Sequence, residues 1–151
     1  PNSVLSVESD GDFFKSLYLG LKQATEMFRY SPQMLFLDGT HLKSPSKGIL
    51  LTAIAIDGNR KLYPVAVAIV GIENEENWNF FISNLKQELQ VDPAQLTFMS
   101  DRDKGLIPAV AKHFPEAQHR HCIRHIVENM RKSNKGIPKA SGAFVYGAAE
   151  A

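Results

Sequence analysis

Two long apolar runs joined by a short turn constrain the fold of this chain more than any other feature. Residues 49–56 read ILLTAIAI and residues 62–70 read LYPVAVAIV. Both runs are rich in residues that favour strands. Asp57-Gly58 lies between them, and this dipeptide favours the tight turn of a β-hairpin. Each run is far shorter than the roughly 20 residues of a membrane-spanning helix. The sequence therefore predicts two antiparallel strands and no membrane partner.

Further periodic patterns predict helices and strands on both sides of this hairpin. The predicted helices cover residues 13–28, a segment capped by Asn74, residues 104–113 and a segment through Met130. The other predicted strands cover residues 33–37, 96–99 and 117–121. Trp78 lies on the apolar stripe of the second helix and is predicted to be core.

This order of elements predicts an α/β fold with a mixed sheet flanked by helices. The first three strands are expected to be antiparallel and the last two parallel, with strand four beside strand one because a β-α-β crossover brings them together. A length of 151 residues suits one domain. We expect a frayed N-terminus over residues 1–12, a core over 13–132, and a tail or the start of a helical insertion over 133–151.

Charge is distributed unevenly along the chain, although the formal net charge is only +1. Residues 1–111 contain ten Lys/Arg and thirteen Asp/Glu, whereas residues 112–151 contain seven and three. The basic end fits either a solvated surface or an anionic partner such as nucleic acid. The single Cys122 excludes an intramolecular disulfide and predicts a reducing, intracellular environment. The sequence contains no glycine-rich phosphate-binding motif, so it does not predict a nucleotide cofactor.

Two aspartates follow apolar strands at corresponding positions. Asp38 ends the run MLFLD, and Asp101 ends the run LTFMSD. Since ligands gather at the carboxyl ends of parallel strands, the pair could hold magnesium or manganese for phosphodiester chemistry. Equally, both residues could simply cap turns. Asp103 precedes a predicted helix, where a carboxylate typically caps free N–H groups.

The segment HRHCIRH concentrates metal-binding side chains in seven residues. His119 or His121 with Cys122 and His125 would supply three ligands of a zinc site, which normally takes four. The alternative is a buried thiol beside a phosphate-facing or hydrogen-bonded histidine. Basic residues around this segment are candidate DNA-backbone contacts, or ordinary solvated side chains: Arg120, Arg124, Arg131 and Lys132.

Three runs in a fixed order resemble the catalytic domain of Mutator-like element (MULE) transposases: MLFLDGTHLKS, AIVGIENEENWNFFISNL and FMSDRDKGLIPAVAKHFPEAQHRHCIRHIVENM. The resemblance covers about residues 13–132. It implies a ribonuclease H-like fold and DDE chemistry, in which a metal-bound hydroxide cuts DNA and the freed 3′-hydroxyl attacks the target strand. It identifies Asp38 and Asp101 as the first two catalytic acids, and Cys122 and His125 as the family's C-x-x-H.

The resemblance also implies partners and a location. The expected partners are transposon-end and target DNA and a further copy of the chain, without a small-molecule cofactor, and the expected location is the nucleus. Glu73 also matches a family position, but a residue beside a helix start is equally explained by the helix dipole.

The third acid of the family lies on a helix beyond an inserted helical segment. Glu150 is the only acid after Glu128. We therefore expect this chain to be truncated before the third acid and inactive by itself. The alternative is a domesticated descendant that binds DNA or protein as a transcription regulator without cutting.

Overall fold

The computed structural model describes residues 3–43 and 47–133, except for the side chain of Lys132. In chain order the elements are β1 Val4–Asp10, β2 Phe13–Gly20, α1 Lys22–Phe28, β3 Met34–His41, β4 Ile49–Ile56, β5 Leu62–Val70, α2 Glu75–Glu88, a 3-10 turn Pro93–Gln95, β6 Thr97–Ser100, α3 Leu106–His113, β7 Gln118–His121 and α4 Ile123–Ser133. The tail and Glu150 lie outside this part of the chain.

The strands form one mixed sheet in the order β1-β2-β5-β4-β3-β6-β7. Every neighbouring pair from β1 across to β3 is antiparallel. The pairs β3–β6 and β6–β7 are parallel. The predicted mixed sheet is therefore confirmed, including the parallel strand that the crossover rule places beside β3.

The central hairpin has the strand bounds that the sequence predicted, but its turn is longer than two residues. Asp57 pairs with Lys61 through its backbone, and its Oδ1 accepts the N–H groups of Asn59 and Lys61 at 2.8 Å each. Arg60 adopts a φ of 62°. A loop of three residues that ends in the left-handed region is a common hairpin connection.

One hydrophobic core lies between the sheet and the helices α2 and α3. Along β4, Ile49, Leu51, Ala53 and Ala55 are buried while the residues between them are partly exposed, as expected for a strand with one covered face. Helix α2 contributes the fully buried Trp78, Phe81, Ile82 and Leu85, which confirms the predicted stripe. The Asn74 side chain accepts the N–H of Asn77 at 2.9 Å, and this confirms the predicted cap.

The predictions for residues 4–20 are wrong, whereas the second half of the helix predicted over 13–28 is confirmed as α1. Residues 4–10 are not frayed but pair antiparallel with residues 13–20, which are a strand and not a helix. Ser16, Tyr18 and Gly20 are buried while Leu17 and Leu19 lie on the other face, a period of two that outweighs the three-and-four spacing of the apolar residues.

The later helices and strands differ from the predictions by only a few residues at their ends. Helix α3 begins at Leu106, two residues after the predicted start, because the preceding loop is held by side-chain hydrogen bonds described below. No helix in residues 3–43 or 47–133 has the length and apolarity needed to cross a membrane.

Candidate functional site

The register of β3 against β6 places the two aspartates at the same level of the sheet. Met34 faces Thr97 and Phe36 faces Met99 in this parallel pair. Continuing the register by two residues brings Asp38 level with Asp101, the residue directly after β6. The two acids therefore lie on neighbouring strands, as the sequence predicted, but Asp38 is inside β3, which continues to His41 instead of ending at Leu37, whereas Asp101 directly follows β6.

Asp38 projects from the sheet face opposite the one that buries Leu35 and Leu37, because side chains alternate along a strand. Its side chain is 43% exposed. The Nε2 atom of His125, on α4, lies 4.0 Å from Asp38 Oδ1, at the outer limit of an ion pair. The other ring nitrogen of His125 is buried and makes no hydrogen bond in the described part of the chain. Asp38 thus presents an accessible carboxylate beside a histidine.

The loop after β6 is folded by its own aspartates. Asp101 Oδ1 accepts the N–H of Asp103 at 2.9 Å. Asp103 Oδ1 in turn accepts the N–H groups of Gly105 and Leu106 at 2.8 and 3.0 Å. The prediction that Asp103 caps a helix start is therefore confirmed. Asp101 uses one carboxylate oxygen to shape its loop, and this fixes the direction of the side chain.

Gly105 lets the loop after β6 pack directly against the beginning of α2. A Cβ atom on Gly105 would lie 2.5 Å from the backbone nitrogen of Glu75, far closer than a side chain tolerates. The loop that carries Asp101 and the segment before α2 are therefore held together by backbone contact. Any side chain at position 105 would force them apart.

Glu73 is the candidate site residue that local sequence reasoning underestimated. It lies directly before the helix cap Asn74, which fits the helix-dipole interpretation given above. In three dimensions, however, its carboxylate packs against Gly39, the residue after Asp38: a Cβ on Gly39 would lie 2.5 Å from Glu73 Oε1. The glycine within strand β3 was the one sequence signal for this close approach.

The charge of Glu73 is coupled to those of three other carboxylates at this end of the sheet. Partial burial is the largest cause that raises the pKa of Glu73. The negative charges of Asp103 and Asp101, and more weakly Asp38, raise this pKa further. The indole of Trp78 acts in the opposite direction, although its buried Nε1 has no hydrogen bond of good geometry. This excess of negative charge is the arrangement that a bound cation relieves.

The HRHCIRH segment forms β7 and the start of α4. His119 Nε2 lies 2.7 Å from Ser100 Oγ, and the Ser100 carbonyl accepts the N–H of Cys122 at 2.6 Å. Burial lowers the pKa of His119, and the neighbouring His121 lowers it further. Cys122 carries a free, partly buried thiol. The predicted hydrogen-bonded histidine is thus found at His119.

No group of three or more His, Cys, Asp or Glu side chains within residues 3–43 and 47–133 is arranged to hold a metal ion. This holds for the acids at the end of the sheet and for the HRHCIRH segment. The zinc site at Cys122 and His125 and the magnesium site at Asp38 and Asp101 therefore stay predictions.

The candidate DNA contacts lie on β7, an edge strand of the sheet, and on α4. Arg120 donates to Gln118 Oε1 at 2.8 Å. Arg124 is exposed and lies 3.9 Å from Glu128, one helical turn away. It also lies 3.4 Å from His125 Nε2. Arg131 is partly buried, and the side chain of Lys132 is not among those that the structure describes. Arg120 and Arg124 are exposed, and Arg124 lies beside His125, the residue next to Asp38.

Residues 34–129 match the family model of the MULE transposase domain. The match covers more than half of the chain, from β3 into α4, and includes Asp38, Asp101, Cys122 and His125. The chain belongs to the MULE transposase family. No curated protein is significantly similar to it. The β1–β2 hairpin lies outside the matched residues, whereas the MULE match contains every carboxylate of the site described above.

Proposed function

We propose that this MULE domain is the core of a DDE-type DNA transposase with a ribonuclease H-like fold, which cuts and joins DNA with the help of divalent metal. The observation that carries the proposal is the parallel register that sets Asp38 level with Asp101 within the family match. The order β5-β4-β3-β6-β7, three antiparallel strands followed by two parallel ones, supports the fold.

The donor atoms at this end of the sheet fit magnesium or manganese, which prefer carboxylate oxygens. Asp38 and Asp101 would hold the ion, and the group paired with Asp38 is His125, at 4.0 Å. When bound, two such ions activate an attacking oxygen and stabilise the leaving oxygen of a phosphodiester. The chain itself orients the carboxylates through the Asp101–Asp103 loop and the Glu73–Gly39 contact.

Nearby basic side chains support DNA as the substrate. Arg120 and Arg124 flank the same edge of the sheet as His125, which lies beside Asp38. Basic groups there would contact the phosphate backbone and make binding weaker as salt increases. Transposon-end and target DNA, a nuclear location and self-association belong to the same proposal.

A DNA-nicking assay tests this function. The product of the full reading frame that contains these residues is incubated with supercoiled plasmid in Mg²⁺ or Mn²⁺. We expect nicking that Asp38→Asn and Asp101→Asn abolish. Asp12→Asn is the matched control, since Asp12 is exposed and remote in sequence from the acidic cluster, and it should keep full activity.

Two outcomes contradict the proposal. Nicking that survives Asp38→Asn would remove that residue from the catalytic set. Salt-sensitive DNA binding without nicking in either metal would instead identify a domesticated regulator, the alternative function for this family.

A further inference from the structure

Asp101 is held from two sides where the chain leaves β6. On the loop side, its Oδ1 accepts the N–H of Asp103 at 2.9 Å. On the strand side, its backbone carbonyl accepts the hydroxyl of Ser100 at 2.7 Å. Ser100 is 1% exposed, so this second bond is shielded from water. The direction in which Asp101 leaves the strand therefore depends on a buried serine.

The hydroxyl of Ser100 also contacts a histidine of the neighbouring strand. His119 Nε2, on β7, lies 2.7 Å from Ser100 Oγ. In the parallel pair of β6 and β7, Phe98 faces His119, and Ser100 follows two residues later on the same buried face. The register of the two strands therefore brings the imidazole ring and the hydroxyl together.

The two contacts of Ser100 determine which nitrogen of His119 carries the proton. A serine hydroxyl has one hydrogen to donate, and its oxygen can accept. The Asp101 carbonyl can only accept, so both contacts are satisfied when the hydroxyl donates to this carbonyl and His119 Nε2–H donates to the hydroxyl. Burial lowers the pKa of His119, and the neighbouring His121 lowers it further, so the ring is neutral at pH 7. The neutral ring is then the Nε2–H tautomer.

We propose that His119 is a positioning residue for the cation site: it donates to Ser100, Ser100 donates to the Asp101 carbonyl, and this chain of hydrogen bonds aims the Asp101 carboxylate. The inference rests on the proposed function, in which Asp101 holds a divalent cation. The bond to the carbonyl restricts rotation of the peptide after Asp101, and the bond from Asp103 restricts the carboxylate itself. Replacing a residue that orients a metal ligand typically weakens metal binding by about 10- to 100-fold.

The segment that carries His119 holds Ser100 through the backbone as well. The Cys122 N–H donates to the Ser100 carbonyl at 2.6 Å. Ser100 is thus fixed by its side chain and by its backbone from the same HRHCIRH segment. With Nε2 donating to Ser100, His119 would have only Nδ1 to offer to a zinc ion. The positioning role of His119 therefore does not depend on the predicted zinc site.

Mn²⁺ binding to the chain, with free Mn²⁺ measured by electron paramagnetic resonance, tests this role. His119→Leu should raise the Mn²⁺ dissociation constant about tenfold, the lower end of the range for residues that orient a metal ligand. His119→Gln should restore most of the affinity, because the glutamine amide can donate in place of Nε2–H. The matched control is His113→Leu, which removes a histidine whose Nε2 lies 3.0 Å from Asn79 Oδ1 between α3 and α2, and it should leave the affinity unchanged.

A double-mutant cycle tests whether His119 acts through the serine. Ser100→Ala removes the bridging hydroxyl and should raise the dissociation constant by a similar factor. In the Ser100→Ala background, His119→Leu should add little, because both residues belong to one chain of hydrogen bonds. Ser100→Ala alters one small side chain, so this variant carries the test if His119→Leu does not fold. Fully additive losses, or unchanged affinity in Ser100→Ala, would overturn the proposal.

The tautomer of His119 gives a test that needs no metal. Nitrogen-15 NMR of the imidazole ring distinguishes the Nε2–H form from the Nδ1–H form, and we expect Nε2–H in the wild type. The Nδ1–H form would overturn the proposal, and so would equal Mn²⁺ affinity in the wild type and His119→Leu. A wild type that binds no Mn²⁺ is a different result: it would contradict the proposed cation site, and the positioning role would fall with it.

Discussion

The two ends of helix α2 each press a glutamate against a glycine of the sheet, and the surroundings of the two glutamates are opposite in character. At the C-terminal end, Glu88 packs on Gly20 and accepts the hydroxyl of Tyr18 at 2.5 Å. At the N-terminal end, Glu73 packs on Gly39, and the indole of Trp78 acts on it as a weaker donor, without a hydrogen bond of good geometry. Partial burial raises the pKa of both carboxyl groups.

The two carboxyl groups differ in the interactions that oppose, or add to, the effect of burial on their pKa. The Tyr18 hydrogen bond lowers the pKa of Glu88 and partly offsets the effect of burial. Around Glu73, Asp103, Asp101 and Asp38 add repulsion that raises its pKa further. The same glutamate–glycine contact is therefore structural at one end of the helix, whereas at the other end it retains uncompensated negative charge. Sites that bind ligands often carry such a cost in stability.

The largest expected effect comes from removing the donor at the structural end. Tyr18→Phe leaves the Glu88 carboxylate without its hydroxyl partner, and we expect a loss of about 1–2 kcal/mol in unfolding free energy. Tyr63→Phe is the control, because it removes a hydroxyl whose bond to Ser31 at 3.0 Å is neutral and partly exposed. Urea denaturation measures both variants. Equal losses would show that the Tyr18–Glu88 bond is not special.

A paired glycine test comes next in size. Gly20→Ala and Gly39→Ala each insert a methyl group where a glutamate carboxylate lies. Glu88 is held by Tyr18, so Gly20→Ala should cost about 1–2 kcal/mol. Glu73 is repelled by its neighbours and can move away, so Gly39→Ala should cost less than about 1 kcal/mol. Thermal unfolding of both variants checks this order, and a larger cost at Gly39 would reverse the comparison.

Removing the negative charge of Glu73 is expected to raise the unfolding free energy, and by less than the losses predicted above. Since folding raises the pKa of Glu73, the folded state binds more protons between the ordinary glutamate pKa of about 4.3 and the raised value. Stability therefore falls as pH rises through this window, and the loss persists at neutral pH. Glu73→Gln should abolish this fall and stabilise the protein at pH 7 by up to about 0.5 kcal/mol, since the group is only half-buried.

Unfolding free energies of wild type and Glu73→Gln, measured by denaturant titration across this pH range, check that sign. The Asp12→Asn control should follow the wild-type curve. A Glu73→Gln variant that is less stable than wild type at pH 7 would show that the carboxylate is held by a favourable contact.

Much of the sheet could be predicted because its strongest signals are local. The two apolar runs and Asp57-Gly58 predicted the bounds of β4 and β5, and the crossover rule placed β6 beside β3. The neighbouring positions of Asp38 and Asp101 followed from that rule. These features depend on residue patterns and chain connectivity alone.

The β1–β2 hairpin was missed because residues 13–28 carry two conflicting periods. Asp10-Gly11 is the same kind of hairpin signal as Asp57-Gly58, and Gly11 indeed adopts a φ of 60°. Its flanking strand is mostly polar and exposed, so it lacked the apolar pattern that made β4 and β5 recognisable. The position of Glu73 depends on the approach of α2 to β3, which no local pattern reports. The metal ligands and DNA contacts stay predictions.

The central claim is that the acidic residues at the N-terminal end of α2 and at the neighbouring end of the sheet bind a cation. The most direct test of this claim is the effect of metal on thermal stability. Thermal unfolding of the chain is followed with and without millimolar Mg²⁺ or Mn²⁺, for wild type, Asp38→Asn, Asp101→Asn and the control Asp12→Asn. At ten times the dissociation constant, binding adds about 1.4 kcal/mol. This corresponds to a rise of roughly 3–5 °C in Tm. We predict this rise in wild type and Asp12→Asn, its loss in both site variants, and a higher metal-free Tm for Asp38→Asn. An equal metal response in wild type and Asp38→Asn would contradict the claim.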